Sequence, residues 1–222
     1  MKRMQKGFTL VEIAIVLVII GLLLGGILKG QEMIIQAKVK NSISDFSGVS
    51  AAYFGYQDRY RATPGDDGGA LRWGAGALVG DNNRALDGTY NAACPTPLVA
   101  ASPETCKWWD HLRRSGFIAG AGGVQPANAF NGIIGVQTGD GLTGAAVLPA
   151  VTGFTNIILC SSNLPDKVAI ALDVQMDDGV PGTGAVRSSA AVGGTPDITI
   201  ATVSPAAYLE TGTNTYTLCR QF

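Results

Sequence analysis

The sequence predicts an α+β protein: one long N-terminal α-helix packed on an antiparallel β-sheet head built from the rest of the chain. Three observations predict it. An apolar run from Phe8 to Leu28 passes without a strong breaker into a stripe of apolar residues at three- and four-residue steps, which is the pattern of one continuous helix. The first strong breaker is Thr63-Pro64-Gly65. Beyond it, short β-branched or apolar segments are bounded by Gly, Asn and Pro, which is the pattern of strands and turns.

The apolar run carries Glu12 as its single charge. A helix needs about 20 residues to cross a hydrocarbon core, so Phe8 to Leu28 is long enough to span. A lone ionised side chain inside such a segment costs roughly 2.5–3.5 kcal/mol, which marks Glu12 as functional and in need of a partner. Lys2, Arg3 and Lys6 precede the run, and Lys29 is the first charge after it. The positive-inside rule keeps the basic leader in the cytoplasm and exports the remainder. A secretory signal carries its small-residue cleavage site after the apolar region; here the small residue, Gly7, stands before it. Cleavage at Gly7 would leave the helix in the product and place a new amine on Phe8, one turn from Glu12. The two charges would then neutralise each other within a chain or between neighbouring chains.

The stretch Lys6-Gly7-Phe8-Thr9-Leu10-Val11-Glu12, with the apolar segment that follows, resembles the N-terminus of type IV pilins and of the pseudopilins of type II secretion. The resemblance implies a type IV pilin-like fold. It also implies cleavage after Gly7 by a membrane-embedded prepilin peptidase, N-methylation of Phe8, and use of Glu12 in docking each subunit onto its neighbour. The implied partners are other pilin or pseudopilin subunits, the peptidase and an inner-membrane assembly platform. Many major pilins carry a proline near the end of the apolar run. This chain has Lys29 in that neighbourhood, which points toward a minor, tip or pseudopilin role.

The expected division is a leader at 1–7, a membrane-spanning and polymerising segment at 8–28, an amphipathic continuation at 29–62, and an exported globular head at 63–222. In the continuation, Ile34, Ile35, Val39, Ile43, Phe46, Val49, Tyr53, Tyr56 and Tyr60 form the apolar stripe, and Lys38, Lys40, Asp45 and Asp58 the polar face. The tyrosines are expected to pack on the head. Gly21 with Gly25, and Gly26 with Gly30, have the small-xxx-small spacing of close helix approach. The Gly25-Gly26 pair is a candidate for local unwinding.

The head holds about 160 residues, enough for one compact domain. From Pro64 to Pro103 the chain reads as a long ordered loop, with one short strand expected near Ala77 to Val79 and with Asp66 and Asp67 as turn residues. Ser102-Pro103-Glu104 reads as a helix start with serine capping, Trp108, Trp109 and Leu112 as its apolar side, and Ser115-Gly116 as its stop. Strands are expected at Phe130–Val136, Phe154–Cys160, Ile198–Val203 and Thr215–Cys219, with a short helix over Lys167–Met176. The loops Thr138–Gly144 and Gly179–Gly184 are expected to carry family-specific contacts.

Cys94, Cys106, Cys160 and Cys219 all lie on the exported side, where four cysteines most simply form two disulfides. Sequence neighbours favour Cys94 with Cys106 and Cys160 with Cys219, although three connectivities exist. A zinc site is disfavoured because no cysteine pair has ribbon spacing. A C-terminal disulfide-bounded loop resembles the variable surface region of type IV pilins. Tyr60 to Asp67 and Leu172 to Arg187 are similar to stretches of pilin-like proteins from Gram-negative bacteria.

The single histidine, His111, has no second histidine for a zinc site and no nucleophile beside it, so it is expected on a solvated helix face. Asp173, Asp177 and Asp178 form an acidic group whose oxygens suit calcium, without the spacing of an EF-hand; a solvated helix end is the simpler expectation. No cofactor and no catalytic pair is expected, since no second acid or aromatic sugar platform accompanies these carboxylates. The formal net charge is −1, and loss of Lys2, Arg3 and Lys6 takes it to −4, so no basic surface calls for a nucleic-acid partner.

The sequence thus predicts a structural subunit of a type IV pilus-like filament and not an enzyme. The alternative is a minor pseudopilin of a type II secretion system, and a third class is a membrane-anchored periplasmic binding module or enzyme. The expected location is the inner membrane, single-pass with the head in the periplasm, or a surface pilus.

Overall fold

The computed structural model describes residues 9–74, 76–139, 154, 156–190 and 207–222. The expected leader with Gly7, Phe8 of the expected cleavage site, the expected strand at Ile198–Val203 and most of the expected loop at Thr138–Gly144 lie outside them. The chain divides into two compact units, Met1–Lys38 and Val39–Phe222. Helix α1, Leu10–Tyr60, contributes to both and is unbroken at Gly25-Gly26, where local unwinding was expected.

In the first unit the apolar side chains of α1 are exposed throughout, Leu22 at 73% and Leu28 at 67% among them. The helix is long and apolar enough to cross a membrane. Ile34 and Ile35, expected to begin the packed stripe, are exposed members of this unit.

In the second unit the stripe is buried: Val39, Ser42, Phe46, Val49, Ala52, Tyr53 and Tyr56 recur at mostly three- and four-residue steps on one face of α1. Helix α2, Glu104–Arg114, supplies Trp108, Trp109 and Leu112 to the same core. The expected serine cap takes another form. Pro103 directly precedes the helix, and the Ser102 hydroxyl instead accepts the Val99 N–H at 2.9 Å. The stop follows expectation. Gly116 adopts φ +80°, its N–H reaches the Arg113 carbonyl and the Phe117 N–H reaches that of Leu112, a Schellman closure that a Cβ would strain.

The sheet has strands β1 (Ile134–Thr138), β2 (Ile157–Pro165), β3 (Val186–Ala190) and β4 (Thr215–Gln221), in the order β1-β2-β4-β3 with every pair antiparallel. The expected strands at 130–136 and 154–160 are each displaced a few residues toward the C-terminus. β3 was not foreseen: Val-Arg-Ser-Ser-Ala has little apolar signal. It forms because Ser188 and Ser189 pair with Leu218 and Thr217. Helix α3, Asp166–Met176, sits where the short helix was expected.

Alternation along β2 gives both sheet faces a core. Ile157 and Leu159 join the helix-side cluster with Val136, Leu218 and the α3 residues Val168 and Leu172, while Ile158 and Cys160 join Tyr90, Phe154 and Cys219. Disulfides join Cys94 to Cys106 and Cys160 to Cys219, and the second pair sits directly across the β2–β4 ladder. Ala77 to Val79 is not a strand.

Candidate functional site

The N-terminal segment begins with a local solution to the Glu12 problem. Thr9 precedes the first helical residue, Leu10, and Glu12 is third in the helix. The Thr9 N–H and hydroxyl donate to Glu12 Oε2 at 2.8 and 2.9 Å, and the Glu12 N–H donates to Thr9 Oγ1 at 3.3 Å. This reciprocal arrangement is a capping box: it satisfies amides that have no intrahelical acceptor and puts a carboxylate at the positive end of the helix dipole. Thr-x-x-Glu was the sequence signal for it, and the expectation for Glu12 passed over it. Farther along, Lys29 and Glu32 pair at 2.7 Å, both well exposed.

In the head, the end of α1 is tied down by a polar junction that sequence reading missed. Tyr56 donates to Asp67 Oδ2 at 2.6 Å, Arg72 Nη1 donates to the same oxygen at 2.6 Å, and the Gly69 N–H donates to Oδ1 at 2.7 Å. Burial pushes the Asp67 carboxyl up, but Arg72, Tyr56 and the Gly69 amide outweigh it and hold it below the usual carboxylate range. Burial, with the Asp67 charge beside it, drives the Tyr56 phenol upward, so it stays a donor.

His111, expected on a solvated face, is fully buried. Its Nδ1 accepts the Gly65 N–H at 2.9 Å and its Nε2 lies 2.7 Å from the Leu78 carbonyl oxygen. Since a carbonyl can only accept, Nε2 carries the proton and Nδ1 is a bare acceptor. Burial holds the pKa of this ring below its usual value. The ring also lies parallel to Tyr56, with 6.4 Å between centroids. His111 therefore fastens the turn after α1 to α2. Asp66 is likewise more than a turn residue: it is buried, and its two oxygens accept the Asn83 and Arg84 amides at 3.1 and 2.6 Å.

Two groups of carboxylates bring ligand atoms within 4.8 Å of one another: Asp173, Asp177 and Asp178, and the unforeseen Asp66, Asp81 and Glu104. Each carboxylate of the first group already has protein donors. Asp173 takes Tyr208 Oη at 2.6 Å and the Gly179 N–H at 3.2 Å; Asp177 takes the Val186 N–H at 2.8 Å; Asp178 takes Thr183 Oγ1 and the Val180 N–H. Asp173 is buried rather than on a solvated helix end, and burial raises its pKa. Their oxygens are of the kind calcium takes, and their present bonds close the turn between α3 and β3.

Residues 2–28 match the family model described as the prokaryotic N-terminal methylation motif, the signature of type IV pilins and pseudopilins. No curated protein and no solved structure matches the chain. The chain therefore carries a prepilin-type N-terminus, and its head stands on its own geometry.

Proposed function

We propose that this chain is a structural subunit of a type IV pilus-like filament, made with a leader at 1–7, cut after Gly7, methylated on Phe8 and assembled through the helix that begins beside Glu12. The observation that carries this reading is the methylation motif over 2–28, whose residues 10–28 form the first part of α1. The motif points to a structural subunit and not to an enzyme. It fits a membrane-anchored protein, as does the exposed apolar surface of α1 between Leu10 and Leu28. On this reading 8–28 spans the inner membrane and the head at 63–222 is exported. The partners are other pilin subunits, prepilin peptidase and an inner-membrane platform. Assembly is driven by burial of apolar helices against one another and by neutralisation of Glu12 by a neighbour's Phe8 amine.

One observation favours a second reading, a minor pseudopilin of type II secretion. Lys29 stands in the neighbourhood where many major pilins carry a proline, and α1 passes through Gly25, Gly26 and Lys29 as unbroken helix. The experiment is intact-mass and N-terminal analysis of the chain from native membranes and from sheared surface material. Loss of residues 1–7 with a methylated Phe8 amine is expected. Recovery in sheared filaments supports the pilus, whereas retention in the periplasm, with exoproteins trapped on deletion, supports the pseudopilus. An intact N-terminus would overturn both.

A further inference from the structure

A groove of about 750 Å³ opens in the head where the last turns of α1 meet one end of the sheet, a volume in the range of small-ligand sites. Three separate segments wall it. Phe54 and Arg61 come from α1 and the residue just past it, Asn82 and Arg84 from the loop after Gly80, and Asn156 and Ile157 from the start of β2. Phe54 is 53% exposed, although its ring meets that of Phe222 edge-on at 6.3 Å between centroids. Asn82, Arg84 and Asn156 are exposed too, and their side chains make no hydrogen bond or ion pair among the described residues.

The backbone is strained at the same place. Of the five non-glycine residues with positive φ among the described residues, three line this groove: Arg61 at 55°, Asn82 at 63° and Arg84 at 72°. Asparagine tolerates that region, whereas arginine enters it rarely. Arg61 closes the end of α1 through its N–H to the Gln57 carbonyl at 2.8 Å, a position where glycine is the usual residue. The loop carrying Arg84 is pinned by buried Asp66, whose two oxygens accept the Asn83 and Arg84 amides at 3.1 and 2.6 Å. Left-handed backbone on residues other than glycine gathers at ligand clamps, where the surrounding structure holds it in place.

The lining selects a chemistry. Asp66 lines the groove with the two arginines, and Arg61 has Asp58 at 3.7 Å, so the charges are close to balanced and do not call for a highly charged anion. The side chains left over are two amides, each both donor and acceptor, and one guanidinium, a planar donor. An exposed aromatic ring beside mixed donors and acceptors matches a molecule with an apolar C–H face and a rim of hydroxyl groups. We propose that this groove is a saccharide-binding site, in which a sugar ring lies on Phe54 and its hydroxyls bond to Asn82, Arg84 and Asn156. The strained Asn82–Arg84 backbone presents those groups already in position, so little ordering remains to be done on binding. The site lies wholly within the head and stands apart from the filament reading.

The test uses the full chain in a detergent without a sugar head group, with saturation-transfer NMR as the readout and maltose, lactose and chitobiose as probes at millimolar concentration. At least one of the three is expected to bind. Phe54→Ala and Arg84→Gly are each expected to raise its Kd about tenfold, whereas Leu209→Ala, an exposed position outside the groove, leaves it unchanged. Arg84→Gly also separates a ligand role from a structural one: glycine relieves the positive φ, so its melting midpoint stays at or above that of wild type while binding weakens. Should Phe54→Ala alter the fold by near-ultraviolet circular dichroism, Asn156→Ala at its exposed position takes its place. No binding of any of the three sugars to wild type overturns the proposal. So does binding that survives both groove substitutions, which would put the sugar elsewhere on the chain.

Discussion

The backbone N–H of Gly65 donates to Nδ1 of His111 across 2.9 Å, joining the turn that ends α1 to the last turn of α2. The bond exists only while the imidazole is neutral. A proton on Nδ1 would set two donors face to face inside a site with no exposed surface.

The pH dependence has a definite sign. Burial lowers the folded pKa of His111, against the pull of the Leu78 carbonyl, Asp67 and Asp110 and with that of Lys107, whereas an unfolded histidine titrates near about 6.5. Below that pH the unfolded chain binds more protons, so the stability His111 contributes is present above about 6.5 and is lost as pH falls toward the folded pKa. Thermal unfolding of detergent-solubilised wild type and His111→Gln checks this. Wild type is the more stable at pH 8, and the gap narrows by pH 5; a gap independent of pH would sink the assignment of neutral His111.

The Asp67 junction predicts a stability effect larger than its surface position in the sequence suggests. Asp67→Asn keeps the shape and removes the charge that Arg72 and Tyr56 address. Hydrogen bonds to charged groups contribute about 1.5–3 kcal/mol each. The Arg72 side chain is about a third exposed, which screens its share, so a loss of about 2 kcal/mol is expected. In a head of this size that lowers the melting midpoint by roughly 4–8 °C. Tyr56→Phe in the Asp67→Asn background should cost less than in wild type, because the two changes strip the same contact.

The elements legible in the sequence were those whose signal is local. The α1 stripe, the α2 stop at Ser115-Gly116 and the extent of α3 come from periodicity and caps within a few residues. The polar core was illegible for the opposite reason. His111 meets Gly65 46 positions away, Asp66 meets Arg84 18 positions away, and Tyr208 meets Asp173 35 positions away. Lone histidines and Pro-Gly-Asp-Asp turns read as solvated until the fold supplies distant donors. β3 was lost similarly, since its serines become strand only beside β4.

The two disulfides should differ in weight. Cys160 and Cys219 are 59 positions apart and Cys94 and Cys106 are 12. In the chain-entropy account the longer closure stabilises by about 4 kcal/mol and the shorter by about 3. The longer one also lies in the β2–β4 ladder, where both residues are buried. Denaturant unfolding of the Cys160→Ala/Cys219→Ala pair should therefore show the greater loss, and the Cys94→Ala/Cys106→Ala pair a milder one. The reverse order would mean that the loop at 94–106 holds more of the head together than its length implies.

Glu12 closes the helix start with Thr9, and that cap can be separated from the charge proposed above to serve assembly. Both glutamate and glutamine serve at the third position of a capping box, so Glu12→Gln keeps the cap and deletes the charge. Glu12→Ala deletes both. If the carboxylate acts by neutralising a neighbour's amine, both variants insert in the membrane and lose residues 1–7 normally, and both fail to enter filaments. If capping is what matters, Glu12→Gln assembles, Glu12→Ala does not, and Thr9→Val is as poor as Glu12→Ala. Co-expression with wild type, followed by mass analysis of sheared filaments, reads the outcome directly. We expect Glu12→Gln to be excluded, because a buried amide cannot offset an ammonium, whereas the cost of losing a cap is only about 1 kcal/mol and the apolar helix can absorb it.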